Sequence, residues 1–201
     1  MQILNLKSVC RRRRKNYIKS TPETTAENIL NREFETDGFG QKWLTDVTEM
    51  KYAQESKAYL SAILDLGDKS IVSFIIGHSN NNDLVFRTFD IAHHQHPDAK
   101  PIFHSDRGFQ YTTKTFKMKL ETAGMTQSMS RVSRCIDNGP IEAFWGMLKS
   151  EMYYLKKFNS YDELEAAVID YIDYYNNHRY QKGLECMTPM EYRQHLMNHV
   201  A

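Results

Sequence analysis

"QKWLTDVTEMKYAQESKAYLSAILDLGDKSIVSFIIG", residues 41–77, decides the fold. It holds three runs rich in β-branched and aromatic residues, parted by short polar breaks, the pattern of strands joined by tight links. "QKWLTDVTEMKY" (Gln41–Tyr52) reads as the first strand, "AYLSAILDLG" (Ala58–Gly67) as the second and "SIVSFIIG" (Ser70–Gly77) as the third. "GDK" (Gly67–Lys69) is the turn between the last two, so the stretch is a three-stranded meander. Asp46 fits poorly. It stands inside the first strand, where Asp is a weak β-former, so it needs a partner or a task. Asp65, two residues before the hairpin turn, is ordinary in that place.

Downstream the period changes. "NNDLVFRTFDIAHHQ" (residues 81–95) predicts a helix, and "KPIFHSD" (Lys100–Asp106) a short buried strand that ends on an acid. "TTKTFKMKLETAG" (residues 112–124) predicts a helix capped by Thr112 or Thr113 and stopped at Gly124. "MTQSMS" (Met125–Ser130) is a further short strand. After a polar loop at 131–136, "CIDNGPIEAFWGMLKSE" (Cys135–Glu151) opens a helix, with Asp137 or Asn138 as its cap and Pro140 in the first turn. Two later helices begin with capping boxes, Ser160 to Glu163 and Thr188 to Glu191. Three strands, helix, strand, helix, strand, helix argues for an α/β sandwich on a mixed sheet.

On the 135–151 helix, Ile141, Phe144, Trp145 and Leu148 make an apolar face. Glu142, Gly146 and Lys149 make a second stripe, with the lysine about 10 Å along the axis from the glutamate. Glu151 lies on the opposite side, about 180° from Glu142 at about 100° per residue. One face thus offers a carboxylate, a gap without a side chain, and a cation, along which an anionic polymer can lie. On this helix alone, a solvated face with a weak ion pair is the simpler explanation.

Composition sets limits. The chain has 201 residues, 41% hydrophobic, with 12 Tyr and 10 Phe, enough for one good core. No apolar run approaches the length of a membrane span. The start, "MQILNLKSVCRRRRK", puts its basic run after the apolar residues, the reverse of a secretory signal. Cys10, Cys135 and Cys186 have no paired spacing, which predicts a reduced, cytoplasmic protein without disulfides or structural zinc. The net charge of +1 hides an asymmetry: residues 1–20 hold seven basic residues and no acid. Arg11, Arg12, Arg13 and Arg14 form the centre of that run. Such a block is usually a solvated arm, and nucleic acid is the leading partner where it binds anything. The remainder is close to neutral, so any DNA contact there is local or carried by metal ions.

Other candidates weigh less. His93, His94 and His96 lack a supporting Cys or well-spaced acid for a metal site. His104 and Ser105 beside Asp106 point to opposite faces of a strand, which disfavours a serine hydrolase. Arg131 and Arg134, in the loop before the helix, are candidate phosphate contacts. Asn176 and Asn177 read as helix-end caps, with Arg179 ordering the C-terminal helices. Tyr171, Tyr174 and Tyr175 read as packing.

Five blocks in order carry a resemblance: "WLTDVTEMKY", "YLSAILDLG", "HSDRGFQY", "SMSRVSRCIDNGPIEAFWGMLKSE" and "YIDYYNNHRYQKGLECMTPMEYR". Together they resemble the DDE transposases of bacterial insertion sequences, above all the insertion-sequence-three family, in the ribonuclease-H-like and retroviral-integrase superfamily. The match runs from about Ala26 to Leu196. It implies a ribonuclease-H-like fold: a mixed five-stranded sheet flanked by helices, with a C-terminal helical extension. It implies that Asp46, Asp106 and Glu142 are the catalytic triad and that Lys149 grips the transposon end. The 35-residue gap between Asp106 and Glu142 proves nothing by itself, since a chain with this many acids produces such pairs by chance.

The resemblance further implies magnesium, with manganese as a substitute. Two ions are expected, Asp46 bridging both and Asp106 and Glu142 each holding one. The chemistry agrees: three clustered carboxylates repel one another, and an all-oxygen ligand set suits Mg²⁺ or Mn²⁺. Water would cut the strand to leave a 3′-OH, which would attack a second phosphodiester. The implied partners are the terminal inverted repeats, target DNA and further copies of the chain, in a bacterial cytoplasm and on the nucleoid when DNA-bound. Two departures, Ile136 and Gly139, fall where the family often has Trp and Ala, outside the triad. Residues 1–36 are expected to be a basic arm and linker, the remnant of a helix-turn-helix region, and residues 37–201 the catalytic core with its C-terminal helices. A non-catalytic DNA-binding fragment that inhibits transposition, and a nuclease of the same fold, remain as alternatives.

Overall fold

The computed structural model describes residues 22–132 and 135–199, so Arg11, Arg12, Arg13, Arg14 and Arg134 lie outside the described residues. The meander forms as predicted: β1 (Lys42–Tyr52), β2 (Ser56–Asp65) and β3 (Ile71–Gly77) pair antiparallel in succession. β4 (Ile102–Ser105) joins the other side of β1 in parallel, and β5 (Thr126–Met129) lies parallel beyond it. The sheet order is therefore β3-β2-β1-β4-β5. Helices α1 (Asn82–Gln95) and α2 (Lys114–Thr122) provide the connections after β3 and β4. Helices α3 (Gly139–Glu151), α4 (Tyr161–Asn177) and α5 (Pro189–His199) complete the chain.

Side chains alternate across a strand, and both faces of this sheet are covered. Trp43, Ile63 and Phe103 pack against Val85 and Phe89 of α1 and Phe116 and Leu120 of α2. Leu44, Ala62 and Leu64 pack on the other face against Ile141, Phe144 and Leu148 of α3 and Leu164, Val168 and Ile172 of α4. This double cover explains why "AILD" of β2 is buried without a break. It also places the candidate site, because Asp46 shares the face of Leu44 and so lies on the α3 side.

Both sheet edges are closed, as an unpaired edge invites aggregation. Along β5 the backbone N–H groups of Ile29 and Leu30 donate to Ser128 Oγ at 3.0 and 3.1 Å, and Leu30 is buried. The described part of the expected linker is thus non-helical and lies on the core. Along β3 the Asn176 amide donates to the Ile71 carbonyl and accepts from its N–H, while the Tyr161 hydroxyl donates to Ile76 O. Asn176, read as a helix-end cap, is an edge clamp instead.

The cap at Thr113 forms, and Thr188 and Glu191 exchange the reciprocal bonds of a capping box at 2.9 and 3.2 Å. At Ser160 only half of the box forms: its hydroxyl accepts from Glu163 N–H, while the Glu163 carboxylate accepts from the Asn159 N–H. Two expectations need correction. Asn138 takes the N-cap position of α3 but makes no side-chain cap, and the Asp137 carboxylate is held elsewhere. Asp65 is no ordinary turn residue. It is fully buried and accepts from the Trp43 indole at 2.8 Å and from the backbone N–H of Gly40, Gly67 and Asp68. Neighbouring Asp68 pairs with Arg193 of α5, which also donates to Ser70 Oγ. The turn after β2 is therefore the anchor of the last helix. Among the described residues no helix is long and apolar enough to cross a membrane.

Candidate active site

Three elements bring the predicted acids to one place. Thr45 of β1 stands opposite Ser105 of β4 in parallel register. One step further in both strands puts Asp46 beside Asp106, just where β4 ends. The α3 helix is then fastened to the same point of β1 twice. The Asn138 amide donates to the Thr45 carbonyl at 3.1 Å, and the Trp145 indole N–H donates to Asp46 Oδ2 at 3.0 Å. Glu142 sits between these two fastenings, exposed on the flank of the buried Ile141–Phe144–Trp145–Leu148 face.

The electrostatics fit this placement. Asp46 is half-buried, and its pKa is pushed up to about 6, first by burial, then by the charge of Asp106, with a further contribution from Glu142. Burial also raises Asp106, although its Oδ1 accepts from the Gly108 N–H at 2.8 Å. Its own burial, and then the charges of Asp46 and Asp106, drive the hydroxyl of Tyr111 well up; it lies 3.2 Å from Thr45 Oγ1. Among the described residues no three Asp, Glu, His or Cys side chains are drawn tightly enough to grip one ion. The carboxylates repel one another, and among the described residues no guanidinium or ammonium is bonded to them; hard divalent cations suit such an oxygen set.

The path of the Gly108 backbone keeps Asp106 in place. A Cβ built there would stand 2.9 Å from Asp106 Oδ1 and 3.1 Å from Gln110 Oε1. A separate surface cavity of about 1220 Å³ lies between the end of α3 and α4, lined by Leu155, Phe158, Tyr171 and Arg179 among others, with none of the three acids on its wall.

Comparison with known proteins gives the family and the fold. The integrase core domain family matches residues 37–135, and a second integrase core domain model matches residues 142–197. A transposase-like protein of Haemophilus influenzae is 38% identical over 98% of this chain and 91% of its own length. The InsK protein for insertion sequence element IS150 of Escherichia coli is 37% identical over 96% of this chain and 68% of its own. The transposase InsF for insertion sequence IS3A of Escherichia coli is 27% identical over 83% and 58%. The chain belongs to the insertion-sequence-three family of transposases. Among solved structures, the integrase catalytic core of HTLV-2 in complex with magnesium superimposes with a TM-score of 0.58 at 16% identity, covering 78% of this chain and 97% of that one. A chain of the simian T-cell lymphotropic virus intasome in complex with the PP2A regulatory subunit B56 gamma gives 0.66 at 15% identity, over 90% of this chain and 61% of that one. These confirm the ribonuclease-H-like fold expected from the sequence.

In this transposase core the other expected residues divide. Lys149 is half-buried on α3, its pKa lowered by burial against the pull of Asp46 and Glu49. Glu151 is turned away from Asp46 and fastened to Arg179 at 2.6 Å and to the Tyr171 hydroxyl at 2.9 Å. It ties the end of α3 to α4, and Arg179 orders the C-terminal helices as expected. Arg131 has its guanidinium closed on the Asp137 carboxylate through Nε and Nη2. Any phosphate contact by Arg131 competes with that pair.

Two residues at the site were read from the sequence only as packing or capping. Trp145 was placed on the apolar face, yet its N–H holds a candidate metal ligand. Asp137 was offered as a cap, yet it gathers Asn28, Arg32 and Arg131. Neither role leaves a clear sequence signal: the Asp46 partner of Trp145 lies 99 positions away, and two of the three partners of Asp137, Asn28 and Arg32, lie 109 and 105 positions away.

The Trp145 contact predicts a separable effect. Trp145→Phe keeps most of the ring's packing and removes the donor, at a cost of about 1 kcal/mol in stability. Asp46 then loses its anchor, and Mn²⁺ affinity is expected to fall about tenfold, the lower end for loss of a partner that orients a ligand. Calorimetric Mn²⁺ titration with parallel thermal melts measures both. Unchanged Mn²⁺ affinity would make the indole a packing group only.

Proposed function

We propose that the chain is an active transposase catalytic core that cuts DNA at insertion-sequence ends and joins the freed 3′-OH to target DNA. The observation that carries this is the double fastening of α3 on β1 at Thr45 and Asp46, with Glu142 between the two bonds and its charge felt at Asp46. Asp46, Asp106 and Glu142 are the residues to hold magnesium, with Mn²⁺ as a substitute and two ions as the complement. Bound there, the ions supply activation of the attacking oxygen and stabilisation of the leaving one. The protein's share is to fix three carboxylates on a β-strand, a strand end and a helix, and to keep the face above them open for a duplex. Lys149 holds the transposon-end backbone, and the basic arm with Arg11–Arg14 adds phosphate contacts beyond it. A nucleophile placed by this site is water in the cutting step and a DNA 3′-OH in the joining step. The active complex is a homo-oligomer that brings two ends together.

Incubation of the purified chain with Mn²⁺ and end-containing DNA tests the proposal. Joined product supports a transposase. Cut product without joining points to a nuclease of the same fold, and DNA binding without product to an inhibitory fragment.

Lys149 gives a finer test. Lys149→Ala is expected to lower the log–log salt slope of end binding by about one unit while leaving metal affinity intact, and Lys149→Arg to retain much of the activity. Identical slopes with wild-type joining would return Lys149 to the role of a solvated lysine.

A further inference from the structure

Six arginines lie among the described residues. Five of them face carboxylates: Arg32 and Arg131 on Asp137, Arg87 on Asp83, Arg179 on Glu151 and Arg193 on Asp68. Arg107 is the sixth, and among the described residues it forms no ion pair. It directly follows Asp106 at the end of β4 and is exposed. Its Nε donates to the Ser130 carbonyl at 2.9 Å, and Ser130 N–H in turn donates to Ser105 O. The side chain is thus drawn across the ends of β4 and β5 and held at one nitrogen, leaving the two terminal nitrogens without a partner among the described residues.

An exposed arginine beside an acid would ordinarily fold onto it. Here Asp106 Oδ1 is occupied by the Gly108 N–H, and the arginine is pinned to a carbonyl instead. A carbonyl fixes the guanidinium without neutralising it. The result is a cation with restricted rotamers and a free pair of donors at the rim of an acidic site. That arrangement suits bidentate binding of a phosphate, the geometry in which a guanidinium exceeds an ammonium. Of the two loop arginines that the sequence offers for this, Arg131 is closed on Asp137 and Arg134 lies outside the described residues.

We infer that Arg107 is a DNA-contacting residue whose terminal guanidinium nitrogens grip a backbone phosphate beside Asp106. The inference rests on the DNA-cutting function proposed above. With Lys149 on α3, it places cations on two sides of the carboxylates, so that a strand is held across them. Arg107 adds binding and alignment, and the carboxylates retain the chemistry.

The test is end-DNA affinity across a salt series in metal-free buffer, for the wild type, Arg107→Ala, Arg107→Lys and the control Arg87→Ala. Arg107→Ala is expected to bind about tenfold more weakly, as for loss of a charge-assisted bond, with a log–log slope smaller by about one unit. Arg107→Lys should keep the slope and recover only part of the affinity, because a lysine supplies charge without the fork. Arg87→Ala should match the wild type. Affinity and slope unchanged in Arg107→Ala would overturn the inference. A wild type with no affinity for DNA would instead overturn the DNA-cutting function itself. Where binding is too weak for a salt series, Arg107→Cys and thiol-tethered end DNA provide the second measurement. Crosslinking to the terminal nucleotides above the level given by Arg87→Cys supports the contact, and equal yields reject it.

Discussion

Asp46→Asn is expected to abolish strand cutting and joining, by about a thousandfold or more, while leaving the protein at least as stable as the wild type. Asp106→Asn and Glu142→Gln should lose activity in the same way. The stability half of this expectation follows from the sign of the Asp46 shift. Its folded pKa is pushed up from 3.8 to about 6, so the unfolded chain releases the proton first. Stability linked to this group is complete below pH 3.8 and lost as the pH rises through about 6. Near neutrality the charged form therefore costs the fold, and a neutral amide that still accepts from Trp145 removes that cost. After solvent screening the gain is on the order of 1 kcal/mol, or a few degrees in the melting temperature. Product assays with Mn²⁺ and melts in metal-free buffer measure the two halves. Near-wild-type joining by any of the three variants would remove that residue from the site, and a large drop in the Asp46→Asn melting temperature would contradict the repulsion described above.

The largest loss of stability is expected from Asp137→Ala. The Asp137 carboxylate is inaccessible to solvent because two guanidiniums lie over it, their own side chains 39% and 46% exposed. It accepts from Asn28 Nδ2, Arg32 Nε, and Arg131 N, Nε and Nη2. The side-chain bond from Arg131 is the leading reason that its pKa is held far below the ordinary carboxylate range. Removing it should cost on the order of 3 kcal/mol near pH 7, since a multiply bonded anion is lost from under its cover. The linkage has the opposite sign to that of Asp46. With a depressed folded pKa, this stability is present above the unfolded value near 3.8 and lost as the pH falls below it. Urea unfolding at pH 7 and pH 3 should therefore show a gap between wild type and variant that narrows in acid. A gap that is absent at pH 7, or the same at both, would dismiss the anion's role. Because Asp137 stands immediately before Asn138 and α3, the variant should also cut DNA more slowly, through a looser Glu142.

Much of this was legible in the residues. The period-2 and period-3.6 patterns are local properties, so the meander, the later strands and the five helices could be placed from the sequence. The capping signals at Thr113, Ser160 and Thr188 work over three or four residues and held for the same reason. Asp46 could be singled out because Asp is costly inside a strand, and Asp106 and Glu142 because five ordered blocks match a family that the comparisons bear out. The reading failed where one residue type serves two ends. Asp65 looked like a turn residue, and its burial depends on Trp43, Gly40 and Asp68 closing around it. Asn176 looked like a cap, and its partner is the edge of β3.

The sequence by itself therefore determined the elements, their order and the acids worth watching, because helix and strand periodicity and turn chemistry act between near neighbours. Only the tertiary structure decided what those acids and arginines face. Parallel register sets Asp46 beside Asp106, and the Asn138 and Trp145 bonds set α3 across them. Asp137, rather than phosphate, occupies Arg131, and a carbonyl leaves the terminal nitrogens of Arg107 open. Each of these contacts joins residues between 6 and 99 positions apart through a particular backbone path. Hydrogen-bond geometry and burial choose among several chemically equal partners, and that choice exists only once the chain has folded.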